Sequence, residues 1–311
     1  MAFTAKDVAT LRERTSCGMM DCKKALTDAD GDMERAVEIL REKGLAASAK
    51  KAGRIAAEGV VYALVDDAKK TGVVIEVNAE TDFVAKNADF MAFVESCAKT
   101  VLENSPADVD ALAECKAVGT DMTVAEFLRE KILTIGENIK IRRFQKYDGN
   151  VVSYVHAGGK IGVLVRFDTT DEVAAKDEFK SFGKDIAMQI AAVAPQFIAS
   201  ADVPADVFEK EKAIRIEQLK NDERNANKPE NILAKIVEGK MGKFYEEICL
   251  LDQPYVKDGD LKVRQYVEKT GKELGGEITV AEFVRFEKGE GLQKREDDFV
   301  NEVNAMAGGK A

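Results

Sequence analysis

The chain has 311 residues, 45% hydrophobic and 33% charged, with a formal charge of -10. That length holds more than one hydrophobic core, and that balance fits a soluble globular protein rather than a disordered or membrane-embedded one. With 46 Lys and Arg against 56 Asp and Glu, the net field repels a phosphate backbone, so direct nucleic-acid binding is not expected.

The first residues run from Phe3 into Lys6 and Asp7 with no signal-peptide core. No apolar run reaches the roughly 20 residues that a membrane span needs, so no membrane partner is expected. Cysteines at 17, 22, 97, 115 and 249, with His156 the only histidine, match neither a zinc pattern nor a disulfide framework. They read as free thiols, which points to a cytoplasmic chain without metal or cofactor.

In chain order, residues 1–54 read as a three-helix module and its linker. An amphipathic turn at Val8, Leu11 and Arg12 breaks at Thr15–Gly18, and a short helix follows over Asp21–Leu26. Asp32 is placed to cap a third helix over Met33–Lys43, with Gly44 where a C-terminal cap belongs and Ala46–Arg54 as a linker. From residue 55 to 148 the pattern is α+β. Val60–Val65 and Gly72–Val77 form a hairpin, Phe90, Phe93, Val94 and Cys97 mark a helix, and a helix over Val124–Leu133 ends at Gly136. Asn138–Tyr147 is a closing strand.

The plan then repeats. Val151–Val155 and Ile161–Val165 form a second hairpin with Gly158 and Gly159 in its turn. Thr170-Asp171-Glu172 repeats Thr81-Asp82-Phe83, and Phe179 and Phe182 repeat Phe90 and Phe93. In both copies the Thr-Asp pair is placed to cap the next helix. Ile278–Phe283 echoes Met122–Phe127, so the second unit, 149–202 and 251–296, is interrupted. The interruption, 203–250, reads as a helical hairpin, Ala205–Asn221 and Pro229–Leu250, that either docks outward or packs on its own core. A terminal helix is expected over Asp297–Met306 in a last module, 297–311.

Enzymatic constellations are missing from this pattern. One histidine excludes a multi-histidine metal site, Gly158-Gly159-Lys160 lacks P-loop spacing, and no carboxylates are locally paired as acid and base. Phe83 stands where the second copy has Glu172, so it either projects outward as a partner anchor or packs inward. Met19 and Met20 are adjacent, so they cannot both face one core.

Leu11-Arg12-Glu13-Arg14-Thr15 with Gly18-Met19-Met20-Asp21-Cys22-Lys23-Lys24 resembles an N-terminal signature of the bacterial elongation factor Ts family. Glu76–Asn87, which contains Thr81-Asp82-Phe83-Val84, is similar to a second signature. Ile135–Ile139, Ser153–His156 and Arg285–Gly291 extend the resemblance along nearly the whole chain, although the inserted hairpin and its approaches are longer than the family pattern.

The resemblance implies an α+β fold: a ubiquitin-associated-like N-terminal bundle, two subdomains with antiparallel sheets, the inserted hairpin and a C-terminal helix. It implies a non-enzymatic exchange factor that binds elongation factor Tu and promotes GDP release, with homodimerisation through the hairpin as a further expectation. Asp82 and Phe83, flanked by Thr81 and Val84, would intrude beside the partner's magnesium and phosphate site. Arg12, Met19 and Met20, with Ile135 and Gly136, would grip a helix under its guanine pocket. His156 would contact another domain of the partner, and the terminal helix its GTPase domain. The competing reading is an adaptor that binds through the N-terminal bundle alone and has no exchange activity.

Overall fold

Leu11, Leu26, Ala36 and Leu40 come from three helices but share one small core, because each helix of the first fifty residues has a single apolar stripe to bury. The computed structural model describes residues 3–15, 17–221 and 228–293. The first helices are α1, Ala5–Thr15, α2, Met19–Asp28, and α3, Met33–Lys51. Asp32 caps α3 by accepting from the Arg35 amide at 2.9 Å. The helix does not stop at Gly44, however, and the expected linker is mostly its last two turns. Ala46, Ala47, Ala49, Lys50 and Lys51 are good helix formers, and the roughly 1 kcal/mol that an interior glycine costs is offset where α3 packs on a neighbouring helix.

The first α+β unit comprises β1, Glu58–Asp66, β2, Thr71–Ala79, α4, Ala88–Asn104, α5, Val109–Glu114, α6, Val124–Ile135, and β3, Lys140–Asp148. The short α5 is too brief to show a periodicity in the sequence. The second unit has β4, Asn150–His156, β5, Ile161–Asp168, α7, Asp171–Ala174, and α8, Asp177–Val193. Next come α9, Ala205–Lys220, and α10, Glu230–Ile248. The hairpin β6, Pro254–Tyr255, with β7, Asp258–Lys262, then leads into α11, Val263–Leu274, and β8, Thr279–Glu287. The helix expected over Asp297–Met306 lies outside the described residues.

The two larger sheets are antiparallel, in the orders β1-β2-β3 and β4-β5-β8. Side chains alternate across them as a pleated strand requires. Val60, Val73, Ile75 and Val77 face Phe90 and Phe93 of α4, while Val61 and Val74 face Val151, Leu164 and Phe286 from the second sheet. Val163, Val165 and Phe167 turn outward to Phe179 and Phe182 of α8. The layers therefore run helix, sheet, sheet, helix, and every residue of β2 is buried.

The internal repeat extends to a bulge in each sheet. Glu76 pairs Arg143 and Val77 pairs Ile141, which leaves Arg142 extra; Arg166 pairs Glu282 and Phe167 pairs Val280, which leaves Ala281 extra. One sequence echo does not survive in the fold. Thr123-Val124-Ala125-Glu126-Phe127 opens α6, whereas Thr279-Val280-Ala281-Glu282-Phe283 is the start of β8. In the first copy the Thr123 hydroxyl and the Glu126 carboxylate close a capping box; in the second the same residues lie along β5 and are held by its ladder.

The inserted helices pack on each other. Val237, Met241, Phe244 and Ile248 of α10 meet Val207, Phe208, Ile216 and Leu219 of α9, so the hairpin has a core of its own.

Candidate functional site

Past Ala79 the chain leaves the β2 ladder, and the next amides need other acceptors. Glu137, two residues beyond the end of α6, supplies them. Its Oε2 accepts from the Glu80 and Thr81 amides, each at 3.0 Å, and its Oε1 accepts from the Thr81 hydroxyl at 2.6 Å. The favour is returned by Glu80, whose Oε1 accepts from the Asn138 amide at 2.6 Å and pairs with Arg54 at 3.4 Å. Thr81 is thus spent on Glu137 and does not cap a helix, which corrects the capping expectation for this copy. Asn87 caps α4 instead, accepting from the Asp89 and Phe90 amides, while Thr170 does cap α7.

Between Thr81 and Asn87 lies a single 3-10 turn, Val84–Lys86. Val84 is buried in the core beneath it, and Phe83 points the other way, 78% exposed. Asp82 is exposed as well and lies 3.5 Å from Lys86. The two readings of Phe83 are decided in favour of outward projection. Across from it, α6 ends in Gly136, whose φ of 89° is the left-handed value that a helix C-cap uses. Phe83, Val84, Thr134 and Ile135 line one shallow depression of about 310 Å³ with Asn87 and Asp89. The fold has brought together two segments more than fifty residues apart, Thr81–Val84 and Ile135–Gly136.

The N-terminal helices are docked on α6 as well. Leu133 joins their core, and Lys51 donates to the Ile132 carbonyl at 3.0 Å, where burial holds its ammonium below the ordinary lysine range. Arg12 is exposed on α1, and Met19 and Met20 are both exposed on α2, at 45% and 73%. These three do not line the depression beside Phe83. His156 stands apart too, exposed at the end of β4 with Tyr154 Oη 3.0 Å from its Nδ1. The turn that follows holds Gly158 and Gly159, as the hairpin reading requires.

Sequence reasoning gave no role to Glu80, Glu137 or Glu76. Glu76 is fully buried between the sheets, yet it carries Arg142 at 3.0 Å, Arg143 at 2.7 Å, Asn78 at 3.1 Å and the Gly289 amide at 2.8 Å. The bulge at Arg142 is what lets two consecutive arginines reach one carboxylate. All these residues except Arg142 and Arg143 lay inside the family-like words, but no periodicity marks a carboxylate that answers backbone amides sixty or two hundred positions away.

The chemistry available here is that of a rigid apolar knob on a polar base. The five cysteines are free, four of them buried, and burial pushes the Cys249 thiol up to about 11. No group of three or more His, Cys, Asp or Glu among the described residues is arranged to hold a metal. No described helix is long and apolar enough to cross a membrane.

Residues 80–290 match the family model described as Elongation factor TS. The chain is 50% identical to elongation factor Ts of Syntrophotalea carbinolica, over 98% of this chain and 99% of that protein. It is also 50% identical to elongation factor Ts of Trichlorobacter lovleyi, over 99% of both. The chain belongs to the elongation factor Ts family. As a member it is a nucleotide exchange factor for elongation factor Tu in translation elongation, and the adaptor reading is set aside. Elongation factor Ts of Clostridium perfringens, 48% identical over 98% of this chain and 99% of its own length, fits the same assignment.

Proposed function

We propose that exchange proceeds by a wedge centred on Phe83, with no bond made or broken. The observation that carries this reading is the exposure of Phe83, 78%, on a turn whose neighbours are tied down. A phenylalanine left in water on a fixed support has its burial energy, roughly 1.5–3 kcal/mol, available for a partner. Such energy speeds GDP release only if it is realised more fully in the nucleotide-loosened form of elongation factor Tu than in the GDP-bound form. Linkage then makes returning nucleotide weaken the grip of this chain by the same factor. In this reading Asp82 and Phe83, with Thr81 and Val84 beneath, disturb the magnesium and phosphate site of the partner. Loss of magnesium leaves phosphate charge uncompensated and loosens GDP.

Arg12, Met19, Met20, Ile135 and Gly136 form the second contact, on a helix under the guanine pocket, and His156 docks a further domain. The exposure of both methionines supports this assignment, since methionine adapts to partner surfaces. The division into 1–54, 55–148, 149–202 with 251–296, 203–250 and 297–311, a ubiquitin-associated-like N-terminal bundle and a cytoplasmic location belong to the same proposal. So does a homodimer through α9 and α10, where Ile214 and Ile232 are exposed.

Stopped-flow release of fluorescent GDP from elongation factor Tu tests the wedge. Phe83→Ala is expected to lower the maximal exchange rate about tenfold to a hundredfold, the effect of giving up about 1.4–2.8 kcal/mol of partner binding. A variant that exchanges as fast as the wild type would move the work to the Arg12–Met20 and Ile135–Gly136 contacts.

A further inference from the structure

The wedge reading leaves open what keeps Phe83 in place. Nothing in the Phe83 side chain does so, because it is in solvent. The turn behind it is one 3-10 step, closed by Lys86 N to Phe83 O at 3.2 Å and Asn87 N to Val84 O at 2.9 Å, and Val84 is its one buried apolar side chain. A single such step is a weak support on its own. On the other side, Glu80 and Thr81 have left the sheet, and their amides and the Thr81 hydroxyl all go to one carboxylate.

We propose that Glu137 is a positioning residue for nucleotide exchange, holding the Thr81–Phe83 segment at a fixed offset from Ile135–Gly136 so that both contacts meet elongation factor Tu together. The inference rests on the wedge reading and deepens it. Glu137 follows Gly136 directly, so the group that gathers the Thr81 segment is covalently one residue from the second contact. The tie is reciprocal, since Glu80 takes the Asn138 amide, and Asn138 Nδ2 donates to the Arg54 carbonyl at 2.8 Å. Arg54 closes the chain that leads from α3. The N-terminal helices, the end of α6 and the Phe83 turn therefore share one set of hydrogen bonds. Glu137 need not touch the partner to matter: its effect passes through Thr81 to Phe83.

Positioning makes a demand that charge does not. Glutamine at 137 keeps a carbonyl oxygen for the two amides, and its NH2 can donate to the Thr81 hydroxyl, which then acts as acceptor. Alanine leaves all three partners without Glu137.

The test is stopped-flow release of fluorescent GDP from elongation factor Tu by the full chain as wild type, Glu137→Ala, Glu137→Gln and Phe83→Ala, with melting curves of each. Glu137→Ala is expected to lower the saturating exchange rate about tenfold to a hundredfold, the range for a misplaced contact group, while the half-saturating concentration moves less. Glu137→Gln should recover most of that rate. Hydrogen exchange at the Glu80 and Thr81 amides should quicken in Glu137→Ala and not in Glu137→Gln. Wild-type rates in Glu137→Ala, or a Glu137→Gln variant as slow as Glu137→Ala, would overturn the proposal. A loss of exchange that tracks a fall in melting temperature, with no change at those two amides, would overturn it as well. If Phe83→Ala exchanges normally, the wedge itself fails; if Phe83→Ala is slow and Glu137→Ala is not, only the positioning role fails.

Discussion

The Gly289 amide donates to the Glu76 carboxylate at 2.8 Å, joining residues 213 positions apart. Glu76 lies on the central strand of the first sheet, and Gly289 follows the last strand of the second, so this bond closes the two units on each other. Arg143 reinforces it by stacking on Phe286, 4.2 Å from the ring centroid, and by donating to the Glu287 carbonyl. Lys288 pairs with Glu58 at the same seam. The Arg285–Gly291 segment, one of the family-like words, thus clamps the two sheets together.

Removing the acceptor should be costly. Glu76→Ala leaves Arg142, Arg143 and the Gly289 amide facing a buried gap, and breaking a buried ion pair by deleting one partner typically costs about 3–5 kcal/mol. Urea melts should show a loss in that range.

Acid should weaken the same clamp. Burial by itself acts to raise the Glu76 carboxyl, but the Gly289 amide, Asn78, Arg142 and Arg143 outweigh it and hold the group below the ordinary glutamate range. A carboxylate with a depressed folded value contributes its stability above its unfolded value and loses it as pH falls through the folded one. Stability of the wild type should therefore fall below about pH 4.5, the unfolded side of that window. Repeating the urea melts from pH 7 to pH 3 on Glu76→Gln should give a flatter profile.

Gly289 is held at φ 69°, and a Cβ there would sit 2.3 Å from the Ala57 carbonyl oxygen. Gly289→Ala combines a left-handed conformation, about 1–3 kcal/mol for a strained residue, with a backbone overlap that must move the chain. A melt should show at least about 2 kcal/mol lost. Because the substitution disturbs the same network, the Glu76→Ala, Gly289→Ala double variant should lose less than the two single losses added.

Met19 and Met20 offer a test on affinity rather than stability. Exposed side chains away from packed neighbours change stability by about 0.5 kcal/mol or less. The Met19→Ala, Met20→Ala double variant should melt like the wild type, yet its half-saturating concentration in GDP release should rise about threefold to tenfold, the usual effect of truncating a modest interface side chain. A matched loss of melting temperature would place those side chains in the fold instead.

Much of the fold was legible because burial has a period. Val60–Val65, Gly72–Val77, Phe90 with Phe93, and Phe179 with Phe182 all fall where their spacing puts them, and Gly136 and Thr170 cap their helices as residue type demands. The candidate site was legible as words, Thr81–Val84 and Ile135–Gly136, but not as one place.

What the sequence determined by itself was local: helix stripes, strand alternation, caps, and an internal repeat that survives in two matching bulges. What only the tertiary structure decided was everything that depends on which distant group arrives. Gly44 stays helical because α3 has a neighbouring helix to pack on; Thr-Val-Ala-Glu-Phe is a strand at 279–283 because it pairs with β5, and a helix start at 123–127 because the matching edge of β2 is taken by β3. Thr81 gives up its cap to Glu137, and Phe83 is left outside, since hydrogen bonds and burial reward partners in space without regard to their separation along the chain.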